Sequence, residues 1–407
     1  MKVRGQWLTE LPASNLHPAR AKRGRFILPK TEIVTDADRF GEVIDELMQA
    51  PRVALDIESD GFYNYRDRVC IVTLSSEDVN VVIDTIALGE AANDMQRLLD
   101  RSDVPVLMHS GQNDVIALKR DYGFEFGLVH DTAVAAILLG LQHTGLAALV
   151  ESYLGIPLEK ELQRHDWSRR PIEAEHLHYL INDTKHLFEM HDLMHAELSK
   201  LELEDEYVIE CRAVADAVPR SREFDPERFR KIKGHGDLSD KQRGVLKALY
   251  AWRNDLAAKL DRAPFRVTGD HTLLELARRL PGDLGMLEQV KGVGDWMLRD
   301  HGDDILAVIA EGQKNPTGVR PPKRRPTGPV KLRMDPRQRD RLGQLKRWRE
   351  KEAEARGVGL QAVLPTAVLK DLVFEPPKDA SELADMPRVG TSRAQRYGDQ
   401  ILGILGM

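Results

Sequence analysis

Two hydrophobic periods divide the chain. Short runs of apolar and β-branched residues recur at 52–58 (RVALDIE), 68–75 (RVCIVTLS), 80–84 (NVVID) and 104–109 (VPVLMH). Charged or turn-forming residues bound each run, which is the pattern of short strands. Around and after them the apolar positions fall three and four apart. That spacing predicts helices over 37–48, 89–99, 113–122, 132–141 and 173–201. Consecutive hairpin-like strands followed by strand–helix units make an α/β layer. From residue 237 onward, helical spacing continues without strands.

Two joints interrupt the pattern. Residues 313–333 read QKNPTGVRPPKRRPTGPVKLR, with Pro316, Pro321, Pro322, Pro326 and Pro329 in one stretch. Prolines at that density stop a helix and favour extended chain. A softer joint runs from Val218-Pro219 to Gly236. The expected division is an arm over 1–30, an α/β domain over 31–210, a connector over 211–236, a helical domain over 237–312, a linker over 313–334 and a second helical domain over 335–407. A chain of 407 residues exceeds what one core normally holds, which agrees with several domains.

Charge sharpens this division. The total is 59 basic against 65 acidic side chains, a net −6. Residues 1–30 carry seven basic and one acidic side chain, and 313–334 carry seven basic and none acidic. Residues 31–236 hold 21 basic and 40 acidic. Solvated tails are the plain reading of either basic tract alone, but together they suggest a grip on a polyanion. Cys70 and Cys211 are the sole cysteines, so neither a disulfide framework nor a cysteine zinc site is expected. No apolar run is long enough for a membrane span, and the basic N-terminal stretch lacks the apolar core of a signal peptide. A cytoplasmic protein without a membrane or obligate protein partner is expected.

Four acidic residues stand where packing gains nothing from them. Asp56 and Glu58 lie two apart on the first predicted strand and therefore share a face. Asp114 follows the strand at 104–109 across Ser110-Gly111-Gln112. Tyr179 and Asp183 lie four apart within a predicted helix and stack on one side. Carboxylates gathered this way repel unless a cation sits among them. Metal-assisted phosphodiester hydrolysis uses such a set, with a nearby phenol to orient water.

The segments ALDIES at 54–59, HSGQND at 109–114 and YLIND at 179–183 resemble the three motifs of the DEDD 3′→5′ exonucleases, in the tyrosine form. Residues 158–167 (LEKELQRHDW) and 166–183 (DWSRRPIEAEHLHYLIND) resemble the ribonuclease D family in particular. Ser59-Asp60-Gly61, after the first motif, is closer to the DxExD form of polymerase proofreading domains. Residues 237–312 resemble the HRDC module and 335–407 a divergent second copy, with Trp252-Arg253 and Trp348-Arg349 at matching places. The resemblance implies a ribonuclease H-like (DnaQ/DEDD exonuclease) α/β catalytic domain followed by two all-α HRDC domains. It implies Asp56, Glu58, Asp114 and Asp183 as ligands of two divalent ions, Mg²⁺ or Mn²⁺, and Tyr179 as positioner of the attacking water. The implied reaction removes nucleoside 5′-monophosphates from the free 3′ end of structured RNA such as tRNA precursors. The rival readings are a DNA 3′→5′ exonuclease in repair and a non-catalytic nucleic-acid scaffold.

Further residues are candidates for substrate contact. Tyr63, Tyr65 and Arg66 follow the first motif and suit a terminal nucleotide, and Asn113 adjoins Asp114. Arg170 precedes Pro171 and suits a phosphate, whereas Trp167 reads as core. Arg388, Arg393 and Arg396 surround the turn of the second helical copy. They are expected to hold RNA together with the linker and the N-terminal arm, leaving the first copy mainly to pack. His191 and His195 have metal-ligand spacing but read as a solvated or partly packed helix face. Asp131 reads as an N-cap.

Overall fold

A computed structural model of the chain describes residues 30–158, 165–219, 223–319 and 334–406. The expected arm, apart from Lys30, and residues 320–333 of the expected linker lie outside the described residues. The α/β part contains β1 (Lys30–Val34), α1 (Ala37–Leu47), β2 (Val53–Ser59), β3 (Val69–Ser75), β4 (Val79–Asp84), β5 (Val106–Met108), α2 (Gln112–Tyr122), β6 (Val129–Asp131), α3 (Thr132–Leu138), α4 (Leu146–Leu154), α5 (Ala174–Lys185), α6 (Leu187–Lys200) and α7 (Glu204–Ala215). The sheet order is β1-β4-β3-β2-β5-β6. Strands β2, β3 and β4 form an antiparallel meander, while β1, β5 and β6 join in parallel.

Each face of the sheet has its own reason. Helix α1 begins where Asp36 accepts from the Arg39 backbone N–H, and it buries Phe40, Val43, Ile44 and Leu47. This stripe packs with Val53, Leu55 and Ile57 of β2. The alternation of the strand turns Ala54, Asp56 and Glu58 the other way. Helix α5 covers that second face, pinned by the hydroxyls of Thr184 and Ser75 at 2.7 Å.

Several elements depart from the expected ones. Strands β1 and β6 are too short and polar to show an alternation. The stretch at 89–99 is a 3₁₀ helix, Gly89–Met95, followed by one α turn, Gln96–Leu99. The helix expected over 173–201 divides at His186, whose backbone N–H bonds Thr184 rather than a carbonyl four residues back. Helix α7 runs straight through the expected boundary after residue 210.

Two helical units follow. The first holds α8 (Asp240–Leu260), α9 (Asp270–Arg279) and α10 (Asp295–Lys314), packed around Leu246, Leu249, Leu273, Leu276, Ile305 and Ile309. The second holds α11 (Pro336–Arg356), α12 (Thr366–Phe374) and α13 (Gly390–Leu405). Their kinship shows in atomic detail. Arg253 donates to the Thr268 carbonyl at 3.0 Å and Arg349 to the Leu364 carbonyl at 2.9 Å, each fifteen residues on. Gly292 in the first turn has φ +95°, and a Cβ there would lie 2.1 Å from Thr272 Oγ1, so tight packing explains that glycine. Arg388 occupies the matching place with φ 64°.

The second unit is fused to the α/β part. Leu345, Val363, Leu369, Tyr397 and Ile401 share one hydrophobic cluster with Leu138, Leu187, Met194 and Tyr207. The Gly359 N–H donates to the Leu138 carbonyl at 2.7 Å, and a Cβ on Gly359 would lie 1.8 Å from the Ile137 oxygen. Arg388, Arg393 and Arg396, expected at a surface for RNA, meet carboxylates of the α/β part instead. Arg393 is fully buried and donates to Glu210 at 3.3 Å and to the Gln361 and Ala362 carbonyls. Arg388 also pairs with Glu210, and Arg396 bonds Glu202 at 3.1 Å and Glu206 at 3.4 Å. Buried carboxylates on α7 need cations, and these three arginines supply them. They hold protein to protein.

Replacing Arg393 by Met should leave Glu210 buried with Arg388 alone. Loss of one partner from such a site costs about 3 kcal/mol. Chemical denaturation should report a loss of that order, and wild-type stability would refute the docking role.

Candidate active site

The site begins on β2. In the ladder with β3, Asp56 stands opposite Thr73 and Glu58 opposite Ile71, and the register slips between Glu58 and Ser59. A bulge there ends the regular pairing just past the second acid and turns the chain out of the sheet. Asp60 does not join the acids, contrary to the DxExD likeness. It is fully buried and accepts from the Arg68 backbone N–H and side chain, each at 2.9 Å, and from Asn64 at 2.8 Å. It ties off the loop 60–67 instead.

Helix α5 brings Asp183 across the second face. One carboxylate oxygen from each of Asp56, Glu58 and Asp183 lies within 4.8 Å of the others. Tyr179, one helical turn earlier, feels the charge of all three. Its ring stacks on Trp167 with centroids 5.9 Å apart. Trp167 is buried, as expected of core, yet its indole N–H lies close enough to Glu58 to favour the charged carboxylate without completing a hydrogen bond.

Asp114 enters from the first turn of α2, and Asp131 sets its position. The Asp131 carboxylate caps α3 through Ala133 N–H at 2.8 Å. It also accepts from Ser110 N–H at 3.0 Å and Gly111 N–H at 2.8 Å. Ser110 has φ 56°, a left-handed conformation that these bonds hold in place. Gly111 is required because a Cβ would meet the Met108 side chain at 2.7 Å. The N-cap role of Asp131 is legible from local sequence, but its hold on the turn bearing Asp114, about twenty residues away in the chain, is not.

Electrostatics single out this set. Burial, then the charges of Asp114, Asp183 and Glu58, push Asp56 well above the carboxylate range. Glu58 is raised by burial and by Asp183 and Asp114. Asp114 is raised to about 8 by burial and Asp131, and Asp183 to about 6 by burial. Among the described residues no lysine or arginine pairs with any of the four. Hard divalent cations suit an all-oxygen carboxylate set of this kind.

The remaining candidates scatter. Arg170 forms a two-pronged pair with Asp84 and bonds the Cys70 and Trp167 carbonyls, so it locks the segment before α5 rather than a phosphate. Tyr65 donates to Asn254 of α8 at 2.9 Å, and Tyr63 lies under Arg266 at 3.9 Å. Arg66 and Asn113 are exposed along a cleft between α2 and the first helical unit. His191 bonds His130 at 3.0 Å and packs against His195 and Tyr207. Among the described residues, the Asp56, Glu58 and Asp183 group is the one His, Cys, Asp or Glu cluster that converges as ligands would.

Known proteins resemble this chain in sequence and fold. A family model described as 3′-5′ exonuclease matches residues 31–199, and the HRDC domain model matches 242–309 and again 338–405. The ribonuclease D of Granulibacter bethesdensis is 30% identical over 314 residues, covering 76% of this chain and 78% of that protein. The ribonuclease D of Gluconacetobacter diazotrophicus is 28% identical over 305 residues, covering 74% of this chain and 77% of that protein. The crystal structure of Escherichia coli RNase D, an exoribonuclease involved in structured RNA processing, matches with a TM-score of 0.62 at 21% identity. It covers 93% of this chain and 99% of that one.

Two outcomes are expected. Carboxylates raised in the folded state favour folding below their unfolded pKa and lose that contribution as pH rises through the folded value. With Asp183 at about 6 and Asp114 at about 8, the metal-free protein should therefore lose stability from about pH 4 upward, Asp183 giving up its share by pH 6 and Asp114 by pH 8. Added Mg²⁺ or Mn²⁺ should restore it, increasingly so toward pH 8. Asp183→Asn should raise the melting temperature of the metal-free protein at pH 8 and remove most of the metal response, as thermal melts would show. Asp131→Ala should cost at least about 2 kcal/mol, since it strands buried N–H donors. It should also weaken metal binding by titration calorimetry, a loss that a role confined to capping α3 would not produce.

Proposed function

This chain belongs to the ribonuclease D family, and from that premise we propose that it is a metal-dependent 3′→5′ exoribonuclease releasing nucleoside 5′-monophosphates. The observation that carries the proposal is the convergence of Asp56, Glu58 and Asp183 beside Tyr179, with no basic side chain paired to them among the described residues. A dead scaffold has no reason to keep acids that repel. Asp56, Glu58 and Asp183 would hold divalent ions, Mg²⁺ or Mn²⁺, with Asp114 completing a second ligand set. Two such ions supply an activated water and charge neutralisation at the attacking and leaving oxygens.

The residues of the chain do the rest. Burial beside three carboxylates pushes the Tyr179 phenol upward, so it keeps its proton. It therefore acts by hydrogen bonding, orienting a water for in-line attack, and not as a general base. The stack on Trp167 and the anchoring of the 165–170 segment through Arg170 fix the phenol in that attitude. Leu180 and Ile181 pack behind it and keep bulk water from the helix's inner face.

RNA with a free 3′ end is the substrate class the relatives support, and we extend it to structured RNA with a short 3′ extension, such as tRNA precursors. The Asp60 likeness that favoured DNA loses its force, because that carboxylate serves Arg68 and Asn64.

The test is stepwise shortening of a 3′-extended tRNA transcript on a gel, with a matched DNA oligomer beside it, in Mg²⁺ and in EDTA. Asp56→Ala should abolish shortening while the fold persists by circular dichroism. Tyr179→Phe should slow it by roughly 10²-fold. Wild-type turnover by Asp56→Ala would defeat the proposal, and exclusive degradation of DNA would overturn its substrate.

A further inference from the structure

The loop 60–67 is a bridge. It leaves β2 directly after Glu58 and meets the corner between α8 and the short turn Pro264–Val267. The Ala263 N–H donates to the Tyr63 carbonyl at 2.9 Å, and Arg266 Nε to the Phe62 carbonyl at 2.6 Å. The Tyr65 N–H donates to Asp261 at 3.2 Å, and the rings of Phe62 and Phe265 meet edge to face at 5.6 Å. The first HRDC copy is thereby attached to the chain segment that follows two of the acids.

Beside this bridge opens a cleft of about 500 Å³ whose lining includes Tyr63, Arg169, Arg262 and Arg266. Its walls come from three places. Tyr63 belongs to the loop after Glu58. Arg169 belongs to the segment whose Trp167 stacks on Tyr179. Arg262 and Arg266 belong to the first HRDC copy. The cleft thus adjoins both chain segments that lead into the carboxylate site.

Each of the three guanidiniums there keeps N–H donors that have no partner among the described residues, although Arg266 also stacks on Tyr63. Arg169 is 77% exposed, and among the described residues its side chain pairs with Asp166 alone, three residues away, at 3.3 Å. The Arg262 side chain has no hydrogen bond or ion pair among the described residues. Arg266 spends Nε on the bridge, and its two terminal nitrogens have no partner among the described residues. Of the two acids in the lining, Asp166 accepts from Ser168 and Asp261 from Tyr65. Arg169 itself belongs to a stretch, residues 31–236, that holds 21 basic and 40 acidic side chains. Three guanidiniums that share a single ion pair, Arg169 with Asp166, keep N–H donors over for a phosphodiester, whose oxygens accept them in pairs.

We propose that Arg169, Arg262 and Arg266 form a phosphate clamp, built jointly by the catalytic unit and the first HRDC copy, for the RNA strand just 5′ of the scissile bond. This rests on the exoribonuclease reading and gives the first copy a task beyond packing. The clamp grips backbone rather than bases, so it is indifferent to sequence. It engages only substrates long enough to reach back from the carboxylates into the cleft.

The test uses the full chain carrying Arg169→Ala and Arg262→Ala together, both surface changes that leave the bridge intact. On a single-stranded oligoribonucleotide, KM should rise about tenfold with kcat changed far less. Binding measured by anisotropy in an Asp56→Ala background should lose about 1.4 from its log–log salt slope, about 0.7 per phosphate contact. For a dinucleotide, which cannot span to the cleft, KM should shift much less. Arg262→Lys should recover part of the affinity, since the charge remains without the fork. Unchanged affinity and slope in the double variant, or an equal KM rise for the dinucleotide, would overturn the clamp. A wild-type protein that binds RNA through these arginines yet cleaves none would overturn the exoribonuclease reading and support the clamp.

Discussion

The interaction on which the rest of the structure depends is a repulsion. Asp56, Glu58, Asp114 and Asp183 are half-buried and within reach of one another's charge, and no basic side chain offsets them among the described residues. Left to themselves, such groups would push their supports apart. The surrounding features resist that movement. The strand ladder fixes two acids, the Thr184–Ser75 bond fixes the helix carrying the third, and the Asp131 carboxylate fixes the turn before the fourth. Stability given up at the centre is recovered in the packing around it, as expected where a fold serves a site.

The appended helical units belong to the same scheme. The second supplies arginines to Glu206 and Glu210 on α7, the helix that also carries Cys211, whose sulfur accepts from the Asp131 N–H at 3.3 Å. The first seizes the loop that follows Glu58. Each copy therefore touches an element one step removed from a carboxylate. Neither is a free module on a tether.

Much of the site was legible in the sequence because its signals are local. A two-residue spacing on a strand and a four-residue spacing on a helix state which side chains share a face. The hairpin order of β2, β3 and β4 followed from short apolar runs broken by charge. What the sequence could not state is which partner a charge meets. Arg388, Arg393 and Arg396 looked like a surface for RNA because their acids, Glu202, Glu206 and Glu210, stand nearly two hundred residues earlier. Arg170 looked like a phosphate ligand until Asp84 stood opposite. Asp131 was readable as a cap, but its two further hydrogen bonds cross to a turn that only the sheet brings near. Strands β1 and β6 escaped notice since three to five residues cannot display a period.

The shared cluster of α/β part and second HRDC copy bears on how the protein is made. Ala54 and Leu107 of the sheet lie in one apolar mass with Ile401 and Leu405 of α13. During synthesis the sheet emerges long before those helices. Until α11 to α13 arrive, the outer sides of α3, α6 and α7 present bare hydrocarbon to water or to whatever chaperone meets them. The nuclease core is thus completed by its C-terminal helices. A ribosome stalled within the proline-rich linker would display an unfinished protein, not a smaller working one.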